Sequence, residues 1–149
     1  MQIPDKLPIN RMEDYHTHYL GELEDGRLFW GYETFAYTPP FREIKDTNKL
    51  KYRKDYAVLH IFDSDGNLLQ TSFKSANATD GQRYISDMLD EMISQLGKIE
   101  YKNIEVKVFE VLIDGKIFGL IPDHDFGLIN LQPGSVISFQ EPWDGEYYT

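Results

Sequence analysis

The segment Ile104–Ile121, IEVKVFEVLIDGKIFGLI, decides the fold class. Ile104, Val106 and Val108 alternate with Glu105 and Lys107, the period of a half-buried strand, before the run turns apolar on both faces. Asp114-Gly115 interrupts it. Glycine accepts positive φ and aspartate tolerates it, so Ile113 and Lys116 are predicted to face each other across a two-residue hairpin turn. The same device recurs upstream. Asp25-Gly26 separates the strand-like runs His16–Leu23 and Leu28–Tyr37, and Asp65-Gly66 separates Tyr56–Phe62 from Asn67–Phe73. A fourth Asp-Gly pair, Asp144-Gly145, lies near the end of the sequence.

One stretch has the period of a helix. Thr79 is placed to cap its start, with Gln82 three residues on in the capping-box position. Tyr84, Met88 and Met92 recur every fourth residue beside Ile85, Leu89, Ile93 and Leu96, which makes an apolar stripe; Asp87, Asp90 and Glu91 take the other side. Gly97 supplies the stop. A last strand, Ser135–Gln140, follows the Pro133-Gly134 turn. The order predicts a single α+β domain over residues 1–149, an antiparallel sheet of hairpins with about seven strands and the helix packed on one face. Residues 38–54 read as an irregular, mobile surface loop. Its Arg42, Lys45, Lys49, Lys51, Arg53 and Lys54 outnumber Glu43 and Asp46.

Bulk properties narrow the function classes. The 149 residues include 41% hydrophobic side chains, enough for a core, and carry a net charge of −10. That charge opposes binding to phosphate backbones and to anionic membrane surfaces, and it attracts a basic protein partner. No cysteine is present, which removes thiol catalysis and cysteine-ligated zinc and fits a reducing, cytoplasmic setting. No apolar run reaches the roughly 18 residues of a membrane span, and Met1–Asn10 lacks the apolar core expected of a signal peptide.

His16 and His18, on one strand, are predicted to share a face and so to be able to meet one metal ion. With Glu22 they make His-x-His-x-x-x-Glu, an arrangement that resembles the first metal motif of the cupins. The match covers seven residues: no glycine precedes His16 at the cupin spacing, no second motif with its histidine follows, and a long helix stands where a cupin barrel would continue. No cofactor or metal is therefore expected. Asp123-His124-Asp125 is a second polar cluster; its bland reading is a loop in which an aspartate caps a turn. Asp63-Ser64-Asp65-Gly66-Asn67 has the look of a calcium loop but runs straight into Leu68 and Leu69, so it is read as a hairpin turn. No nucleophile elbow, phosphate-cradling loop or dinucleotide fingerprint is present. Asp87 and Glu91 read as solvated surface.

Aromatic residues reach 14%. In the first hairpin are Tyr15, Tyr19, Phe29, Trp30, Tyr32, Phe35 and Tyr37; Trp30 and Tyr32 take one strand face and Phe29, Phe35 and Tyr37 the other. The sequence ends on Glu141-Pro142-Trp143-Asp144-Gly145-Glu146-Tyr147-Tyr148-Thr149, an acidic-aromatic tail. The expectation is a non-enzymatic protein-binding module, of the inhibitor or immunity type, that neutralises a basic partner through Trp143, Asp144, Glu146, Tyr147 and Tyr148, with Trp30 and Tyr32 of the first hairpin as second surface. Two alternatives stand beside it: a metal-dependent enzyme built on His16, His18 and Glu22 or His124, and a small-molecule-binding domain with its pocket on the Met88 and Met92 side of the helix.

Overall fold

The computed structural model describes residues 2–14, 16–80, 82–134 and 137–149, without the side chains of Gln82 and Arg83. Tyr15, the start of the expected last strand at Ser135 and Val136, and the Gln82 side chain of the capping box lie outside the described residues.

The chain is α+β, and the described residues form 11 strands in three antiparallel sheets and one helix. The central sheet has five strands in the order β5-β4-β3-β2-β6: β2 (Tyr19–Leu23), β3 (Leu28–Tyr37), β4 (Arg53–Phe62), β5 (Leu68–Asn77) and β6 (Ile99–Tyr101). A four-stranded sheet, in the order β11-β10-β9-β8, is built from β8 (Phe109–Ile113), β9 (Lys116–Asp123), β10 (Leu128–Gln132) and β11 (Ser138–Gln140). A short ribbon pairs β1 (Leu7–Ile9) with β7 (Ile104–Val106).

Strand β4 explains the layering. Tyr56–Phe62 is buried at every position, so it alternates in direction but not in polarity. Ala57, Leu59 and Ile61 meet Ile85, Leu89, Met92 and Ile93 of α1 (Gln82–Ser94). Tyr56, Val58 and Phe62 meet Phe118 and Leu120 of β9 and Ile129 and Leu131 of β10, with Trp30 and Tyr32 of β3 in the same cluster. The result is helix on sheet on sheet. Gly31 lets the helix come close: a Cβ there would lie 3.0 Å from Ile93 Cδ1.

The three expected hairpins form. Asp114 (φ 54°) and Gly115 (φ 74°) make a turn with two left-handed residues, and Ile113 pairs with Lys116. Asp63 Oδ1 accepts the amides of Asp65 and Asn67, which closes the β4–β5 turn as an aspartate turn rather than a cation loop.

Three corrections apply. The strand count is higher than the sequence suggested, because β1, β6 and β10 are short or mixed in pattern. In addition, the run from Ile104 to Ile113 breaks into β7 and β8, which belong to different sheets. The Lys107 amide donates to Gly66 O at the break, holding the chain on the β4–β5 turn. In the helix, the buried line runs through Ile85, Leu89, Met92 and Ile93; Tyr84 is exposed and Met88 only half-buried.

Candidate functional site

The histidines separate. The first strand of the central sheet starts at Tyr19, so His16 and His18 sit in the preceding turn and do not share a strand face. His18 Nδ1 lies 3.3 Å from Glu13 and 3.2 Å from the Arg11 guanidinium. Glu22 pairs with Lys102 at 3.6 Å. His16 packs edge-on against Tyr147, with ring centroids 5.7 Å apart, and burial pushes its pKa down against the pull of Asp14. His124 is exposed in the β9–β10 turn, where Asp123 Oδ1 accepts the amides of Asp125 and Phe126, the capping role expected of that cluster. Among the described residues no three histidine or carboxylate side chains come together as a metal site.

The acidic-aromatic tail is docked. The Tyr148 amide and carbonyl exchange bonds with Ser138 at 2.8 and 2.9 Å, adding a bridge to the edge of β11. Trp143 and Tyr147 are half-buried against the core between the two sheets. The Asn10 amide donates to Gly145 O (3.0 Å) and its side chain to Asp144 O (3.2 Å). The Tyr147 hydroxyl donates to Asp14. Burial works to raise the Asp14 pKa, but this bond and those from the Thr17 and His16 amides outweigh it and hold the carboxyl low. Asp144, Glu146 and Tyr148 stay exposed. Trp30 and Tyr32 do not reach the surface at all. Both are fully buried, because their strand face is roofed by the second sheet; Trp30 Nε1 donates to His16 O (2.6 Å) and the Tyr32 hydroxyl meets His60 Nε2 (2.8 Å).

The basic segment after β3 builds a feature that sequence reasoning missed. Tyr37 leads to a 3-10 turn at Phe41–Glu43 that begins beyond Pro40; buried Ile44 anchors it, and its amide donates to Phe41 O. Phe35, Tyr37 and Phe41 stack edge to face, with centroids 6.0 and 5.0 Å apart. Opposite stands the β8–β9 hairpin. Its tip is tied down by Lys116 Nζ donating to Thr38 Oγ1 (2.6 Å) and by Asp114 Oδ2 accepting from Tyr56 (2.7 Å). Between these walls lies a groove of about 670 Å³, lined by Phe35, Tyr37, Phe41, Ile117 and Ile121 and also by Pro133-Gly134. Ile117 pairs with Leu112 on the outer face of β8, and Leu112 is 74% exposed, so the apolar surface continues past the groove.

Cations rim this surface. Arg42 and Lys116 line the groove itself. Lys49 Nζ lies 4.9 Å from the Phe41 ring centre and Arg53 Cζ 5.3 Å from that of Phe35. Lys51, Arg53 and Lys54 have carboxylate partners in Asp46, Asp55 and Asp114. Among the described residues, Arg42, Lys45 and Lys116 have none within 4.0 Å. A local excess of positive charge thus borders an apolar trough on an acidic protein, an arrangement that suits an apolar side chain next to a carboxylate. Among the described residues no helix is long and apolar enough to cross a membrane. No family model, curated protein or solved structure matches the chain.

Proposed function

We propose that this protein is a non-catalytic protein-binding module, and that its recognition surface is the groove between the Phe41 turn and the β8–β9 hairpin. The observation that carries the reading is the coincidence of exposed Phe41 and Ile117 in the groove, and Leu112 beside it, with Arg42 and Lys116, which have no carboxylate within 4.0 Å among the described residues. Large exposed apolar groups in and beside a concavity are the profile of an anchor site, and the cations at its rim select a partner segment that carries Asp or Glu beside its apolar anchor. A second reading keeps the expected basic partner on the opposite kind of surface. Asp144, Glu146 and Tyr148 are exposed on a tail that is already ordered by its own contacts, so binding there would cost little ordering entropy.

Selection of random displayed peptides on the purified protein separates the two. The groove reading expects a consensus pairing an aromatic or aliphatic residue with an acid. Its affinity should fall by about 30-fold or more in Phe41→Ala, a hot-spot-sized loss, and again in Arg42→Glu. A basic consensus that ignores those changes and is lost on Asp144→Lys with Glu146→Lys assigns recognition to the tail. A failure to enrich any consensus overturns both.

A further inference from the structure

Strand β5 is ten residues long and stands at the edge of the central sheet, bonded on one side to β4. Long exposed edges are templates for further pairing and are commonly blunted by charge, proline or a covering element. Here one register shift, opposite Ile61 and Phe62, interrupts the start of the strand, and from Gln70 to Asn77 the pairing with β4 is regular. Its sequence, LLQTSFKSAN, holds one charged residue, Lys74, and no proline. Leu69 is 54% exposed and Phe73 43%.

The register shows which backbone groups are open. The Thr38 amide donates to Tyr52 O at the mouth of the β3–β4 pair. Continued at the two-residue spacing of an antiparallel ladder, this turns the even-numbered residues of β4 toward β3 and the odd-numbered ones toward β5. Leu59 and Ala57 stand opposite Ser72 and Lys74, so Gln70, Ser72, Lys74 and Ala76 bond to β4. Thr71, Phe73, Ser75 and Asn77 therefore point their N–H and C=O groups away from the sheet.

We infer that this edge pairs with the β5 edge of a second copy of the chain, antiparallel, about a twofold axis at Phe73. The strand is self-complementary in that register. Phe73 faces its own counterpart, Thr71 faces Ser75 of the second copy, and the exchange forms about six backbone hydrogen bonds. On the other face Lys74 stands opposite Ser72 of the second copy rather than opposite another lysine, so the one charge in the strand is not set against itself. The pairing covers the exposed Phe73 ring, which already leans on Tyr56 at 6.2 Å. The second sheet supports the same edge: Phe109 of β8 packs on His60, 4.7 Å between centroids, and His60 bonds Thr71 of β5. His60 of β4 thus links the two edge strands β5 and β8.

Two copies of net charge −10 repel, so a contact made by backbone bonds and apolar side chains tightens as salt rises, the reverse of a contact made by ion pairs. Sedimentation velocity on the full chain from micromolar to several hundred micromolar, at low and at high sodium chloride, tests this. The expected result is a species of twice the 17.4 kDa chain mass whose population grows with concentration and with salt. Phe73→Lys places two lysines face to face. Ser75→Pro removes an outward amide without touching the ladder to β4. Each should weaken the association by about 100-fold or more while circular dichroism stays unchanged. Lys74→Ala should leave it in place. Should one variant fail to fold, hydrogen exchange on the wild-type chain carries the test: the Phe73 and Ser75 amides should gain protection as concentration rises. A sedimentation coefficient that stays monomeric throughout, or a dimer that survives both variants, overturns the inference.

Discussion

Acid should destabilise this protein from the inside, through His60. His60 is fully buried on β4 between the two sheets, among Tyr32, Phe62 and Phe109. Its two ring nitrogens meet hydroxyls only, Tyr32 at 2.8 Å and Thr71 at 2.7 Å. A neutral imidazole has one donor and one acceptor, and two hydroxyls satisfy both. An imidazolium would be a buried charge with no counter-ion, and burial accordingly pushes the pKa from 6.5 down to about 3. The folded pKa lies below the unfolded one, so the unfolded chain takes up the proton first. The stabilisation is complete above about pH 6.5 and drains away as pH falls toward the folded value. At pH 5 the loss from this group alone is about 2 kcal/mol, since each pKa unit crossed is worth about 1.4 kcal/mol. In a chain of this size that lowers Tm by about 4–8 °C. The measurement is urea unfolding of wild type and His60→Gln at pH 7.5 and pH 5. The variant is expected to be less stable at both, because Tyr32 or Thr71 loses a partner. The difference between wild type and variant should nevertheless shrink by about 2 kcal/mol on acidification, because the variant has no proton to take up there. A gap that stays constant between the two pH values would refute the reasoning.

Two further changes probe the ties that shape the groove and the tail. Asp114→Ala should cost about 2 kcal/mol, because it removes the acceptor of the Tyr56 hydroxyl and puts alanine at φ 54°, whereas Asp114→Asn, which tolerates that backbone, should cost about half as much; urea midpoints decide, and equal costs would mean the turn conformation contributes nothing. Trp143→Ala should cost about 2 kcal/mol, less than for a fully buried tryptophan because the ring is half-exposed, and should free the last residues for proteolysis; an unchanged cleavage pattern would show that Tyr148 and Asn10 hold the tail unaided.

What the sequence discloses here follows the range of the interaction. Asp114-Gly115 and Asp65-Gly66 announce their hairpins because the turn chemistry is complete within four residues. Leu89 and Ile93 announce the buried helix face for the same local reason. Strand β1 could not be read, because Leu7 and Ile9 acquire their role only by pairing with Val106 and Ile104, almost a hundred positions away. The split of the Ile104–Ile113 run is equally non-local, being set by the Lys107 bond to Gly66. His16 and His18 share a face only if the strand begins before Tyr19, and the alternating pattern does not reveal where it starts. Trp30 and Tyr32 read as surface in the sequence because nothing in their own strand shows that a second sheet covers it. The run of positive fixed charge from Arg42 to Lys54 was visible, but its use was not. Three separate stretches, Phe35–Arg42, Gly115–Ile121 and Gln132–Gly134, must meet before there is a concavity for the charge to border. The acidic total points to a basic partner, while the local field at the groove points to an acidic one. For a segment that docks within a few ångströms the local field governs, because beyond about 8–10 Å salt screens the rest of the surface.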